Sequence, residues 1–163
     1  MKKLTYFTAA TICIALSSGT ATAEKISKKA AKRLAAVAAS EAKLPEGYSR
    51  LTGEKLLDFI ADSTVSGLSE NFPGWRYQIY RAPNGRQRGT STNGGENSKD
   101  SGKWTVDGDT FCSKWRKWGK GKKTCMHMYT GATDDYYFIT TKGKLWSSKQ
   151  FKAKRVKGNT KDL

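Results

Sequence analysis

Phe111-Cys112-Ser113-Lys114-Trp115-Arg116-Lys117-Trp118-Gly119-Lys120-Gly121-Lys122-Lys123-Thr124-Cys125 is two cysteines flanking a basic, glycine-containing turn. Suppose the segment is one β-hairpin with its cysteines directly opposite. The turn then centres between Trp118 and Gly119. Period-two alternation puts Cys112, Lys114, Arg116, Lys123, Cys125 and His127 on one face, and Phe111, Trp115, Thr124, Met126 and Met128 on the other. The second face is apolar enough to be core. A turn nearer Lys120 fits the glycines equally, and the cysteines then need a bulge to meet. The sequence leaves both registers open. Six of the ten residues from Lys114 to Lys123 are basic and two others are tryptophan. Basic groups interleaved with aromatics suit a polyanion with a flat face, such as a base or a sugar ring. The candidate ligand-binding residues are therefore Lys114, Arg116, Trp118, Lys120, Lys122 and Lys123. The competing reading is a solvated hairpin with tryptophans in the core; Trp115 reads as core, and Trp118 beside the turn fits either.

Short strands surround this hairpin. Trp75, Tyr77 and Ile79 alternate with Arg76, Gln78 and Tyr80, the period of a half-buried strand. Asn84-Gly85 is a hairpin turn signal. Residues 89–102 hold almost no apolar side chain and read as an exposed flexible loop. Trp104, Val106, the turn Asp107-Gly108-Asp109, Met126–Tyr129, Tyr136–Thr141, the turn Lys142-Gly143 and Lys144–Ser148 continue the series. Close turn spacing and β-rich composition predict a mainly β domain over residues 48–150. Its expected form is an antiparallel meander, making a small curved sheet or partly closed barrel. Thr52 reads as the N-cap of a short helix from Gly53 to Ala61 that plugs one end.

The N-terminus reads as an export signal. Met1-Lys2-Lys3 is a positive n-region, Leu4 to Leu16 an apolar run, and Ala21-Thr22-Ala23 an A-x-A cleavage pattern, so residues 1–23 are removed before Glu24. The run is too short to span a bilayer, and no other stretch is long and apolar enough. Ile12 before Cys13 is too bulky for lipoprotein processing. Cleavage leaves 140 residues with two cysteines, Cys112 and Cys125. An even count in an oxidising compartment predicts a disulfide. A single histidine, His127, leaves too few ligands for a structural zinc site. Residues 24–47 form an Ala/Lys-rich basic segment, helical over 25–43. Its narrow stripe of Ile26, Ala30, Leu34 and Val37 predicts a solvated helix or mobile arm, with peripheral membrane-surface contact as the alternative. Residues 151–163 read as a basic tail that either extends the hairpin's charge or is disordered.

The charge is unevenly placed. After cleavage 28 basic and 14 acidic side chains remain, net +14. Residues 24–50 carry +4, residues 51–111 carry −1 and residues 112–163 carry +11. Self-repulsion on that scale opposes folding and is retained for solubility or for attraction to an anionic partner.

The order Gly102-x-Trp104, Phe111-Cys112, Trp115 and Cys125 resembles a family of small exported proteobacterial proteins of unknown activity, over about Leu51 to Trp146. The resemblance implies a periplasmic or secreted setting and little more; the lysine-rich hairpin and tail are this chain's own departure from it. No nucleophile elbow, phosphate loop or metal-ligand cluster occurs, and bridged cysteines supply no thiol nucleophile. The sequence therefore predicts a non-enzymatic binding module without cofactor. Its expected partners are anionic envelope or extracellular polymers: acidic polysaccharide, lipopolysaccharide or extracellular nucleic acid. Two alternatives stand beside it. One is a protein-interaction module, an inhibitor or assembly factor for an acidic envelope protein. The other is a small secreted nuclease using His127 as acid or base, with Lys114, Arg116 or Lys123 holding phosphate. Intact-mass measurement of protein recovered from the periplasm or medium should show a chain beginning at Glu24, with no thiol open to alkylation before reduction.

Overall fold

The computed structural model describes residues 27–68, 74–160 and 162–163; the expected signal peptide lies outside them. Among these residues there are two α-helices, α1 (Lys28–Glu41) and α2 (Gly53–Ile60). The strands are β1 (Ser49–Arg50), β2 (Ser63–Leu68), β3 (Arg76–Arg81), β4 (Arg86–Asn93), β5 (Glu96–Asp107), β6 (Thr110–Trp115), β7 (Lys123–Thr130), β8 (Tyr136–Thr140), β9 (Leu145–Ser147) and β10 (Lys154–Lys157). From β2 to β9 each strand pairs antiparallel with the next, so the sheet is a meander. Strand β10 returns to the free side of β2, and β1 pairs with β7. No helix among the described residues is long and apolar enough to cross a membrane.

The connection between the last two strands dictates the curvature. Strands β9 and β10 lie at opposite ends of the sheet. In a flat sheet the eight spacings between them would total about 38 Å. Only Ser148–Ala153 joins them, a link that reaches at most about 25 Å when fully extended. It is shorter still because Lys149–Phe151 is a 3₁₀ turn. The sheet must therefore curl, and it forms the half-barrel that the meander reading predicts.

Curling gives each strand a concave and a convex side. On the concave side Leu56 and Ile60 of α2 pack with Trp104, Phe111, Met128 and Tyr136, so the short helix plugs one end of the half-barrel. The indole of buried Trp104 donates to the carbonyls of Ala82 and Arg86 and thereby closes the β3–β4 turn. On the convex side Val37 of α1 packs with Tyr129 and Ile139. In the central hairpin the cysteines are directly opposite, Cys112 against Cys125, with Lys114 against Lys123. The register centred between Trp118 and Gly119 is the one adopted, and the pair forms a disulfide.

Three expectations need correction. Residues 89–102 are not a flexible loop: most lie in the long β4–β5 hairpin, which turns at Gly94-Gly95. Both glycines have positive φ (57° and 91°), as a two-residue hairpin turn requires. Main-chain pairing holds these polar strands without an apolar stripe, so periodicity gave no signal. The Ala/Lys-rich segment is not a free arm. Helix α1 docks through Val37 and Ser40, whose hydroxyl donates to the Gly143 carbonyl, whereas Leu34 is 60% exposed. Of the predicted stripe Val37 is buried and Leu34 is not. The C-terminal segment 151–163 is not a tail throughout, because Lys154–Lys157 is a sheet strand.

Asp100 shows what the hairpin does. Its carboxylate is buried and accepts the backbone N–H groups of Ser101, Lys117 and Trp118. Burial alone would raise its pKa, but these three bonds hold it below the usual carboxylate range. It fixes the chain just before the 3₁₀ turn at Trp118–Gly121. Replacing Asp100 by alanine strands those donors and should cost about 1–3 kcal/mol. Urea unfolding should show the loss, with tryptophan emission shifted to the red as Trp118 is released.

Candidate functional site

The hairpin turns both of its tryptophans inward and leaves Lys114, Arg116 and Lys123 on the other side. Trp115 and Trp118 turn inward, with ring centroids 4.7 Å apart. Trp118 lies on Gly89, where even a Cβ would come within 2.6 Å of the ring, and its indole donates to the Ser98 hydroxyl. Both tryptophans are half-buried. Lys122 is exposed but joins them at the concave face, Lys120 sits at the tip with φ 57°, and Lys114, Arg116 and Lys123 lie on the convex side. The six predicted residues are therefore divided between the two sides and the tip of the hairpin.

The convex cations belong to a larger array. Arg86 pairs with Lys103, Lys103 with Lys114, and Lys114 with Lys123. Four basic side chains thus stand side by side across β4–β7, all exposed, and none forms an ion pair among the described residues. At strand spacing the row is about 14 Å long. Arg116 belongs to the next row, where its N–H donates to the Ser101 carbonyl and Ser101 pairs with Arg88. Sequence reading missed Arg86 and Lys103, because a register linking four strands is not visible in any one of them.

The concave side holds a cavity of about 290 Å³, lined by Tyr77, Phe111, Trp115, Trp118, Tyr136, Phe138 and Phe151 among others. Two arginines enter this apolar wall. Arg81 ends β3 and Arg155 lies in β10, both on the concave side of their strands. The Arg81 guanidinium lies 5.1 Å from the Phe111 ring centroid, and that of Arg155 lies 4.3 Å from Phe59. Arg81 Nε and Arg155 Nη1 are closed off from solvent and make no hydrogen bond. Burial pulls the pKa of Arg81 down, as expected of a cation removed from water. Burial likewise pushes the Tyr77 and Tyr136 hydroxyls up, so both remain neutral donors. A cation–π contact recovers about 0.5–2 kcal/mol, but it leaves one enclosed N–H of each partly buried arginine without an acceptor. Arg81 shares the parity of Trp75, Tyr77 and Ile79, a signal the sequence did carry; Arg155 was hidden in the expected tail.

His127 has a partner that its isolation in the sequence did not indicate. On the convex side its Nδ1 is 3.1 Å from the Asp109 carbonyl oxygen and 3.7 Å from the Asp109 carboxylate. Asp109 also accepts from Arg50, which bonds Glu41, and the Tyr129 hydroxyl donates to Glu41. This chain of contacts fastens α1 and β1 to β7 and to the β5–β6 turn. The Cys112–Cys125 disulfide lies between His127 and the Lys114–Lys123 pair. No family model, curated protein or solved structure matches this chain. The resemblance to small exported proteins therefore rests on its residues alone.

The clasp carries a pH dependence. The hydroxyl of Tyr129, with Arg50, holds the Glu41 carboxyl below its ordinary value. For Asp109 burial pushes upward, and hydrogen bonds from Arg50 and Thr110 outweigh it and lower the pKa. Groups depressed in the folded state stabilise it above their unfolded pKa of about 4 and lose that contribution as pH falls through the folded value. Replacing Arg50 by methionine should cost about 1–2 kcal/mol at pH 7, the two charge-assisted bonds being discounted for partial exposure. Urea midpoints at neutral and strongly acidic pH should show the difference from the parent narrowing in acid.

Proposed function

We propose that this protein is an exported binding module whose convex basic row holds an anionic polymer of the cell envelope or its surroundings. One observation carries this reading: the register that sets Arg86, Lys103, Lys114 and Lys123 shoulder to shoulder. Like charges directly opposite in a sheet oppose pairing by about 0.2–1 kcal/mol per pair. Lysines are often placed on edge strands to block aggregation, but β4–β7 are interior strands, so that use does not apply. Solubility needs no such alignment. A linear polyanion matches a row of evenly spaced cations, and with the tryptophans on the opposite side recognition is by charge rather than ring stacking. The n-region, apolar run and Ala21-Thr22-Ala23, together with the intramolecular disulfide, support export. Chromosomal DNA is then not the partner.

Sulfated oligosaccharides of increasing length should bind with increasing affinity, whereas an acidic protein partner would be captured as one discrete species. Affinity should fall steeply between about 50 and 200 mM salt. Changing Arg86, Lys103, Lys114 and Lys123 together to glutamine should leave the fold intact, reduce affinity more than about tenfold, and lower the salt slope by about three to four. Unchanged binding by that variant would exclude the row as the site.

A further inference from the structure

We infer that the concave cavity is a second binding site, for a small amphipathic anion with a hydrocarbon body and a single carboxylate or phosphate head. The body has its counterpart in the wall. Phe138, Phe151 and Met126 present hydrocarbon and thioether surface, and methionine adapts to irregular apolar shapes. The cavity approaches the size range of small-ligand pockets.

The head has its counterpart in Arg81 and Arg155. Their two strands both pair with β2: Arg81 opposes Ser63 and Arg155 opposes Val65, which places the two cations diagonally across one strand. Each keeps a buried N–H without a partner. Among the described residues no acidic side chain lines the cavity. The hydroxyls of Tyr77 and Tyr136 add neutral donors to the cavity wall. An anionic head would satisfy what the fold leaves open, and arginine's fork suits carboxylate and phosphate oxygens alike. A neutral lipid would leave the guanidiniums unpaired, and a cationic one would be repelled. The cavity also lies on the opposite side of the sheet from the basic row, so its occupant is distinct from the proposed polymer.

The test uses the whole processed protein and anilinonaphthalene sulfonate as an environment-sensitive probe. Displacement is measured with laurate, dodecyl phosphate, dodecanol and dodecylamine below their aggregation concentrations. Laurate and dodecyl phosphate should displace the probe at concentrations on the order of tenfold lower than dodecanol, and dodecylamine should not compete. The preference should survive glutamine substitution of the convex row and respond weakly to salt, because partly buried charges are screened less than exposed ones. Changing Arg81 and Arg155 together to methionine should abolish the preference for an anionic head while dodecanol still binds. The same change should not lower the unfolding midpoint of the unliganded protein, whereas arginines serving packing alone would be missed. The inference fails if the parent binds dodecanol as well as laurate, if none of the four ligands competes, or if the preference persists in the methionine variant. The head-group series on the parent decides the matter even where the double variant does not fold.

Discussion

Six residues, Ser148–Ala153, carry the chain from one end of the sheet to the other, and that short tether sets the shape of everything else. Its hold is specific. Buried Ser148 receives the N–H of Tyr136 on its hydroxyl, its own N–H donates to the Tyr136 carbonyl, and its carbonyl accepts from Ala153. Phe151 packs its ring against Phe138, Trp146 and Tyr77. A longer connection would let the ends separate and the concavity flatten. The tether thus converts a meander, which has no intrinsic need for an interior, into a vessel with aromatic walls. It also brings β10, and with it Arg155, into that wall.

Curvature gives alternation its meaning. In a flat, two-faced sheet the two sides of this hairpin would differ only in their neighbours. In the half-barrel they face different media: Trp115 and Trp118 close over a confined space, while Lys114, Arg116 and Lys123 stand in open water. Two kinds of recognition are therefore available from one hairpin, one governed by long-range charge and the other by desolvation.

The mainly β class, the disulfide pair, the strand through Tyr77 and Ile79, the turn at Asn84-Gly85 and the plug helix were legible because each is local. They depend on alternation, turn chemistry or cysteine count within a few residues. What escaped depends on partners far along the chain. Residues 89–102 look like a loop because their pairing is carried by main-chain bonds, and their buried anchor, Asp100, is a residue type usually found in water. The stripe on α1 was right at Val37 and wrong at Leu34, because the helix meets the sheet only over its C-terminal half, where Val37 and Ser40 face Tyr129, Ile139 and Gly143. The basic row is invisible in any single strand, since it exists only once four strands have found their register.

The disulfide follows the same logic. Cys112 and Cys125 are opposite one another in the pair of strands that carries both the lysines and the tryptophans. Sliding one strand past the other by a single residue would turn every side chain on it to the other face. Lys123 would then enter the aromatic interior, and Met126 and Met128 would leave it. The covalent bond therefore acts as a phase lock on the pattern of the sheet. It keeps the inside and outside of the protein from exchanging places, which matters most for a chain whose two faces differ so sharply in charge.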